Sequence, residues 1–213
     1  MTTETLLRTN PFSAKRLEID PEAETARIVE KLRTQLGSEL RKRGLVLGLS
    51  GGLDSSVCAG LAARAVGAKN VFCIFMPEHD SDPESLRLGR EAAAAFGLTG
   101  EVEDIGPMLE GLGCYSRREA FIREVAPEYG PGWLSKIVIA NSLTSGGYNL
   151  SSLVARSPKG EQKTVRLPLR AYQGIVAATN MKQRTRKQIE YYHADRLNYA
   201  VVGTPNRPIR ASL

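Results

Sequence analysis

Leu45-Val46-Leu47-Gly48-Leu49-Ser50-Gly51-Gly52-Leu53-Asp54-Ser55-Ser56 is the stretch that decides the fold of this chain. The apolar run reads as a buried strand, Ser50-Gly51-Gly52 as a tight turn, and the small residues after it as a helix start. A strand that ends in glycines and opens a helix makes a cradle for an anion. Glycines let the backbone come close to an oxyanion, and the helix offers unpaired N–H groups and the positive end of its dipole. Ser50, Ser55 and Ser56 add hydroxyl groups. Asp54 stands out, because a carboxylate beside phosphate repels it. It makes sense as the ligand of a Mg²⁺ that the phosphates share. The competing reading is a plain glycine turn with Asp54 as the helix cap. No Gly-Lys-Ser/Thr closes the loop, so this is not a Walker A sequence.

Working outward, Asp20-Pro21-Glu22 has the form of a helix start, and Ala26, Ile28, Val29, Leu32 and Leu36 carry a helical period to about Leu40. Arg41-Lys42-Arg43-Gly44 closes it with cations at the negative end. After the loop a helix runs from Asp54 to about Val66. A second apolar strand follows over 71–76, then a helix over 83–96 and a short strand around Glu101-Val102-Glu103. Strands alternating with helices of this length predict an α/β fold, a doubly wound parallel sheet with helices on both faces. Ligands of such sheets bind beyond the carboxyl ends of the strands, where the Ser50 loop lies.

From Gly106 to Leu167 the alternation breaks. Helical pieces are expected around 117–125 and 133–144, then strands over 148–155 and 163–167 joined by Ser157-Pro158-Lys159-Gly160 as a hairpin. This insertion suits substrate shaping, a lid or an oligomer contact. Alternation resumes with helices from about Ala171 and Met181 and the strand Tyr199-Ala200-Val201-Val202. The domain reading is an N-terminal arm over 1–19, then one domain over 20–213 interrupted at about 106–167.

A second constellation lies in Asn180-Met181-Lys182-Gln183-Arg184-Thr185-Arg186-Lys187. Cations at a helix start oppose the dipole, so an anionic ligand would explain them. Lys182 and Arg186 share a face, whereas Arg184 is about 160° away on a regular helix. The following strand ends at Gly203-Thr204, a second switch from strand to loop. A solvated basic face is the plainer alternative.

The 213 residues carry 29 Lys and Arg against 23 Asp and Glu, a net charge of +6, which favours a phosphate-bearing ligand without choosing between nucleotide and RNA. Cys58, Cys73 and Cys114 form no Cys-x-x-Cys pair; Cys58 and Cys73 sit in apolar runs and read as buried free thiols, which fits a reducing cytoplasm. Residues 1–14 lack the apolar core of a signal peptide, and no run reaches membrane-spanning length. Glu78, Asp80, Asp82 and Glu84 form an acidic cluster near the expected nucleotide site, although Asp82 before Pro83 also serves as a helix cap. His79 reads as an exposed loop residue, His193 as packed within a helix, and Trp133 as the anchor of the insertion.

Ser50-Gly51-Gly52-Leu53-Asp54-Ser55 resembles the pyrophosphate loop of the N-type ATP pyrophosphatases, which cleave ATP between its α and β phosphates. Asn180-x-Lys182-x-Arg184-x-Arg186 with Val201-Val202-Gly203-Thr204 narrows the likeness to the NAD synthetase family, of the ammonia-dependent type. It covers roughly residues 20–105 and 168–206. The resemblance implies an adenine nucleotide alpha hydrolase-like fold and amidation of deamido-NAD by ammonia through an adenylate, giving NAD, AMP and pyrophosphate. By motif, Ser50, Gly51, Gly52, Asp54, Ser55, Ser56, Arg184 and Thr204 would contact ATP. Asn180 and Lys182 would position substrate, and Asp54 would hold Mg²⁺. No side chain is needed as a covalent nucleophile. The resemblance also implies a homodimer. In the family a metal-binding glutamate and a Lys-x-Gly-Asp-Gly loop follow Gly-Thr, whereas this sequence has no Glu or Asp after Asp195. Three readings follow: the synthetase, a nucleotide-binding homologue without turnover, and a pyrophosphatase acting on another carboxylate or on tRNA. Against thiolation of tRNA stands the lack of a Cys-x-x-Cys.

Overall fold

The computed structural model describes residues 18–139 and 151–204. Most of the expected arm, the Tyr148 start of the hairpin and Pro205-Asn206 lie outside them. Helix α1 (Pro21–Thr34) begins as its sequence predicts: the Asp20 carboxylate accepts hydrogen bonds from the N–H groups of Glu22 at 3.0 Å and Ala23 at 3.2 Å. A wider helical turn continues over Gln35–Glu39. Strand β1 (Leu45–Gly48), helix α2 (Leu53–Val66), strand β2 (Val71–Phe75), helix α3 (Pro83–Ala95) and strand β3 (Thr99–Val102) follow in the expected alternation.

Two short helices come next, α4 (Gly106–Gly111) and α5 (Cys114–Arg123), the second where a helix is expected. The expected helix over 133–144 is corrected. Residues Leu134–Ile139 form strand β4, which pairs antiparallel with β5 (Ser151–Arg156) from Leu134↔Arg156 to Ile139↔Ser151. Ile137-Val138-Ile139 is a β-branched run entered from a Gly130-Pro131-Gly132 turn, and these residues favour a pleated surface over a helix. The hairpin of β5 with β6 (Gln162–Arg166) forms as expected.

A second correction concerns the helices from Ala171 and Met181. They are one helix, α6 (Leu169–Leu197), of 29 residues. Thr179 does not break it, because its hydroxyl donates to the Ile175 carbonyl oxygen at 2.8 Å. Asn198 ends it in the left-handed conformation (φ 55°), which asparagine tolerates. The cations at 182–187 are therefore in mid-helix, and the argument from an opposed dipole does not apply. Strand β7 (Ala200–Val201) closes the described chain.

The main sheet has the order β3-β2-β1-β7, all parallel. Residue alternation along β1 and β2 sorts the core. Leu45, Leu47, Val71, Cys73 and Phe75 pack with Ala59 and Ala62 of α2 and Ala93 of α3. On the other face Val46 and Ile74 pack with Ala194 of α6. Both faces are covered, as a parallel sheet requires. The antiparallel sheet β4-β5-β6 has its own core, in which Ile122, Leu153 and Ile175 join the half-buried Trp133. Trp133 thus anchors the insertion as expected. Among the described residues no helix is long and apolar enough to cross a membrane.

Candidate functional site

The order of the main sheet places β1 between β2 and β7, so the chain departs to both sides of β1. At the carboxyl ends of these strands lies a cleft of about 580 Å³. Ser50 and Ser55 line it from the glycine loop, and Glu78 and Asp82 from the segment after β2. Thr204 lines it from the end of β7, and Gln183, Arg186, Lys187 and Glu190 from one face of α6.

The loop is built for close approach. Gly51 has φ +78°, and a Cβ there would lie 2.5 Å from the Ser85 carbonyl oxygen. Gly52 is the residue preceding α2, and no side chain caps the helix there. A helix start without a side-chain cap is a place where backbone N–H groups can meet an anion. Asp54 is exposed in that turn and is not the cap. The Ser55 and Ser56 hydroxyls donate to the Gly52 carbonyl oxygen at 2.9 and 3.0 Å, and Ser50 Oγ lies 3.2 Å from Ser55 Oγ.

The basic helix splits between two places. Arg186 and Lys187 enter the cleft, whereas Arg184 is exposed and outside its lining. Lys182 is buried and bonds Glu78 at 2.9 Å and, more closely, Asp80. Arg118 of α5 forks onto Asp80, and the Tyr115 hydroxyl donates to Glu78 at 2.9 Å. Burial pushes the Asp80 carboxyl up, but Arg118 and Lys182 outweigh it and hold the group at about 2. Glu78 is likewise brought below the ordinary range, against burial, by the Asp80 N–H, Lys182 and Tyr115. The acidic cluster is thus mainly a lock between α5 and α6, with Glu78 reaching the cleft. Asp82 caps α3, accepting from the Glu84 N–H at 2.9 Å.

Asn180 and Lys182 line a separate cavity of about 460 Å³ beneath the antiparallel sheet. His193 is packed as expected. Its Nδ1 accepts from Arg196 at 2.9 Å, so Nε2 carries the hydrogen and donates it in a hydrogen bond to the Glu103 carboxylate. Arg196 also lies 3.7 Å from Glu101, so it joins Glu101, Glu103 and His193 in one charged cluster.

Glu190 is the member of the cleft that the sequence did not single out. It is 3% exposed and lies against Gly48, where a Cβ would be 2.7 Å from Glu190 Oε1. Burial raises its pKa, and the ion pair with Lys187 offsets part of the rise. The spacing 183-186-187-190 is one helical face, and that periodicity was the available signal. A raised carboxylate pKa means the ionised group costs stability above its folded pKa, and that this cost disappears as pH falls to the unfolded value. The melting temperature of Glu190→Gln relative to the unaltered chain should therefore be higher at pH 8 than at pH 4. An equal difference at both pH values in thermal melts would contradict this.

The sequence pattern of the NAD synthase family matches residues 24–125. The NH3-dependent NAD(+) synthetase of Rhizobium meliloti (strain 1021) is 71% identical over 92% of this chain and 58% of its own length. That of Rhizobium rhizogenes is 63% identical over 92% of this chain and 59% of its own. Among solved structures, an NH3-dependent NAD synthetase from Campylobacter jejuni in complex with nitrate superposes with a TM-score of 0.54 at 22% identity. It covers 89% of this chain and 58% of that one. The chain therefore spans somewhat under three fifths of the length of these relatives.

Proposed function

Because this chain belongs to the NAD synthetase family, we propose that it performs ATP-dependent amidation of deamido-NAD by ammonia, giving NAD, AMP and pyrophosphate. The observation that carries this reading is the meeting of the Ser50–Ser56 loop with Thr204, Arg186 and Lys187 around one cleft at the strand ends.

In this reading the acceptor's carboxylate oxygen attacks the α-phosphorus of ATP, the bond to the β-phosphate oxygen breaks, and pyrophosphate leaves. Ammonia then attacks the acyl carbon, AMP departs with the bonding pair, and the nitrogen releases a proton. The chain's own residues bind and align. The first-turn N–H groups of α2 and the Ser50 hydroxyl hold phosphate oxygens, and Gly51 and Gly52 allow the approach. Arg186 and Lys187 lie where negative charge develops on the leaving group. Thr204 bounds the nucleotide from the other side of β1. Ser55 and Ser56 hold the turn in shape through Gly52.

The donor set suits Mg²⁺. Asp54 is an exposed carboxylate in the first turn of the helix that follows the glycine loop, and this ion is commonly held by one or two carboxylates together with substrate phosphates. When bound, the ion supplies charge neutralisation on the pyrophosphate. A homodimer in solution belongs to the same reading.

Incubating the chain with ATP, deamido-NAD, ammonium and Mg²⁺ should release AMP and pyrophosphate and form NAD in equal amounts. ATP binding without AMP formation would contradict the proposal and favour a nucleotide-binding homologue.

A further inference from the structure

Glu190 lines the nucleotide cleft, is almost wholly buried, and takes no part in holding phosphate. A buried carboxylate is costly unless it is paired. Among the described residues Lys187 is the one side chain that bonds it, at Oε2, and the Lys187 side chain is 48% exposed. The pair thus joins a group in the interior to one that is half in solvent. The charges that face Glu190 are Lys187 and, further off, Arg186, both on α6. The strand ends bring Gly48, Met76 and Val202 to this part of the cleft, and none of these titrates.

The cleft has two other carboxylates, Glu78 and Asp82, and they are held differently. Glu78 is bonded by Lys182, by the Tyr115 hydroxyl and by the Asp80 N–H, and Asp82 accepts from the Glu84 N–H. Those partners lie outside the lining of the cleft, so an arriving ligand leaves them in place. Lys187 is itself part of the lining. A triphosphate would bring several negative charges into the cleft and would offer the Lys187 ammonium new acceptors. Added negative charge and a lost cation both disfavour the ionised form of a buried carboxylate. At Glu190 the two effects act together, on a group that burial already pushes toward the neutral acid.

We propose that Glu190 is a positioning residue for Lys187, and that ATP binding exchanges its cation for a proton. In the empty cleft the Glu190 carboxylate holds the Lys187 ammonium on the helix face. When phosphate enters, Lys187 turns to it, and Glu190 takes one proton from solvent and stays buried as the neutral acid. When pyrophosphate leaves, that proton returns to solvent and the ion pair forms again, so the cycle closes with no net proton. This rests on the reading of the cleft as the ATP site. A site that gains a proton on binding binds more tightly as pH falls.

The test is calorimetric titration of the chain with ATP and Mg²⁺, without deamido-NAD or ammonium so that no adenylate forms. Repeating it in buffers of different ionisation enthalpy, from about pH 5.5 to about pH 8, counts the protons taken up. Glu190→Gln serves as the baseline for protons bound by ATP itself. The unaltered chain should take up more protons than this variant, and its ATP affinity should rise more steeply as pH falls, by up to about tenfold per pH unit for one proton. At about pH 8 Glu190→Gln should bind ATP about three- to tenfold more tightly than the unaltered chain, because it carries no charge to be neutralised. A merely structural role predicts weaker binding instead. Lys187→Met should bind ATP more weakly and also lose the extra proton, since Glu190 without its cation is already neutral. If ATP binds with the same proton count and the same pH slope in the unaltered chain and in Glu190→Gln, the proposal fails while the nucleotide reading stands. If ATP binds to none of the three chains, the nucleotide reading of the cleft itself fails.

Discussion

Asp54→Asn is expected to reduce NAD formation by about a hundredfold or more, the size seen when one electrostatic contact to developing charge is removed. Asparagine keeps the shape of the side chain and an oxygen that accepts hydrogen bonds, but loses the negative charge that suits a hard cation. The position is exposed and is not the cap of α2, so the exchange leaves the helix start intact. Melting temperature should hardly move. The diagnostic is the comparison of turnover at saturating ATP over a Mg²⁺ series, with circular dichroism as the control for folding. Activity within a few-fold of the unaltered chain would refute the metal assignment of Asp54.

Lys182→Met should be the most destabilising of the changes considered, by on the order of 3 kcal/mol, because it leaves Glu78 buried without its cation. Glu78 keeps bonds from Tyr115 and from the Asp80 N–H, and Asp80 keeps Arg118, so the loss stays short of a wholly orphaned pair. For a chain of this size that corresponds to a fall of roughly 6–12 °C in melting temperature. The double variant Lys182→Met with Glu78→Gln should recover part of it, since no uncompensated buried charge remains at that pair. Asp80 fixes the pH dependence: its folded pKa is depressed, so its contribution is present above about pH 4 and is lost as pH falls toward about 2. An unchanged melting temperature for Lys182→Met would show that the network contributes nothing net.

Much of this was legible in the chain before any coordinates. The run 45–56 announced strand, turn and helix because buried strands are continuous in apolar residues and the Gly-Gly turn has few other uses. Asp20-Pro21 and Asp82-Pro83 marked helix starts through capping chemistry that is local to a few residues. Less legible was anything set by distant partners. Residues 134–139 alternate weakly, and only pairing with 151–156 makes them a strand. The fate of the basic helix depended on Glu78 and Asp80, about a hundred residues earlier, which claim Lys182 and leave Arg186 and Lys187 to the cleft. Glu190 was hidden for the same reason. A glutamate on a helix reads as solvated until the glycine at position 48 is seen to admit it against β1.

Helix α6 runs unbroken for 29 residues, a rod of about 43 Å. One end is packed into the antiparallel sheet and the other into the parallel one. A rod clamped at both ends transmits displacement rather than absorbing it. A movement of the inserted sheet would therefore reach the cleft as a shift of Arg186, Lys187 and Glu190 together. The insertion is in this mechanical sense the handle of the cleft, and mutations far from the phosphates but on that handle belong in any search for altered turnover.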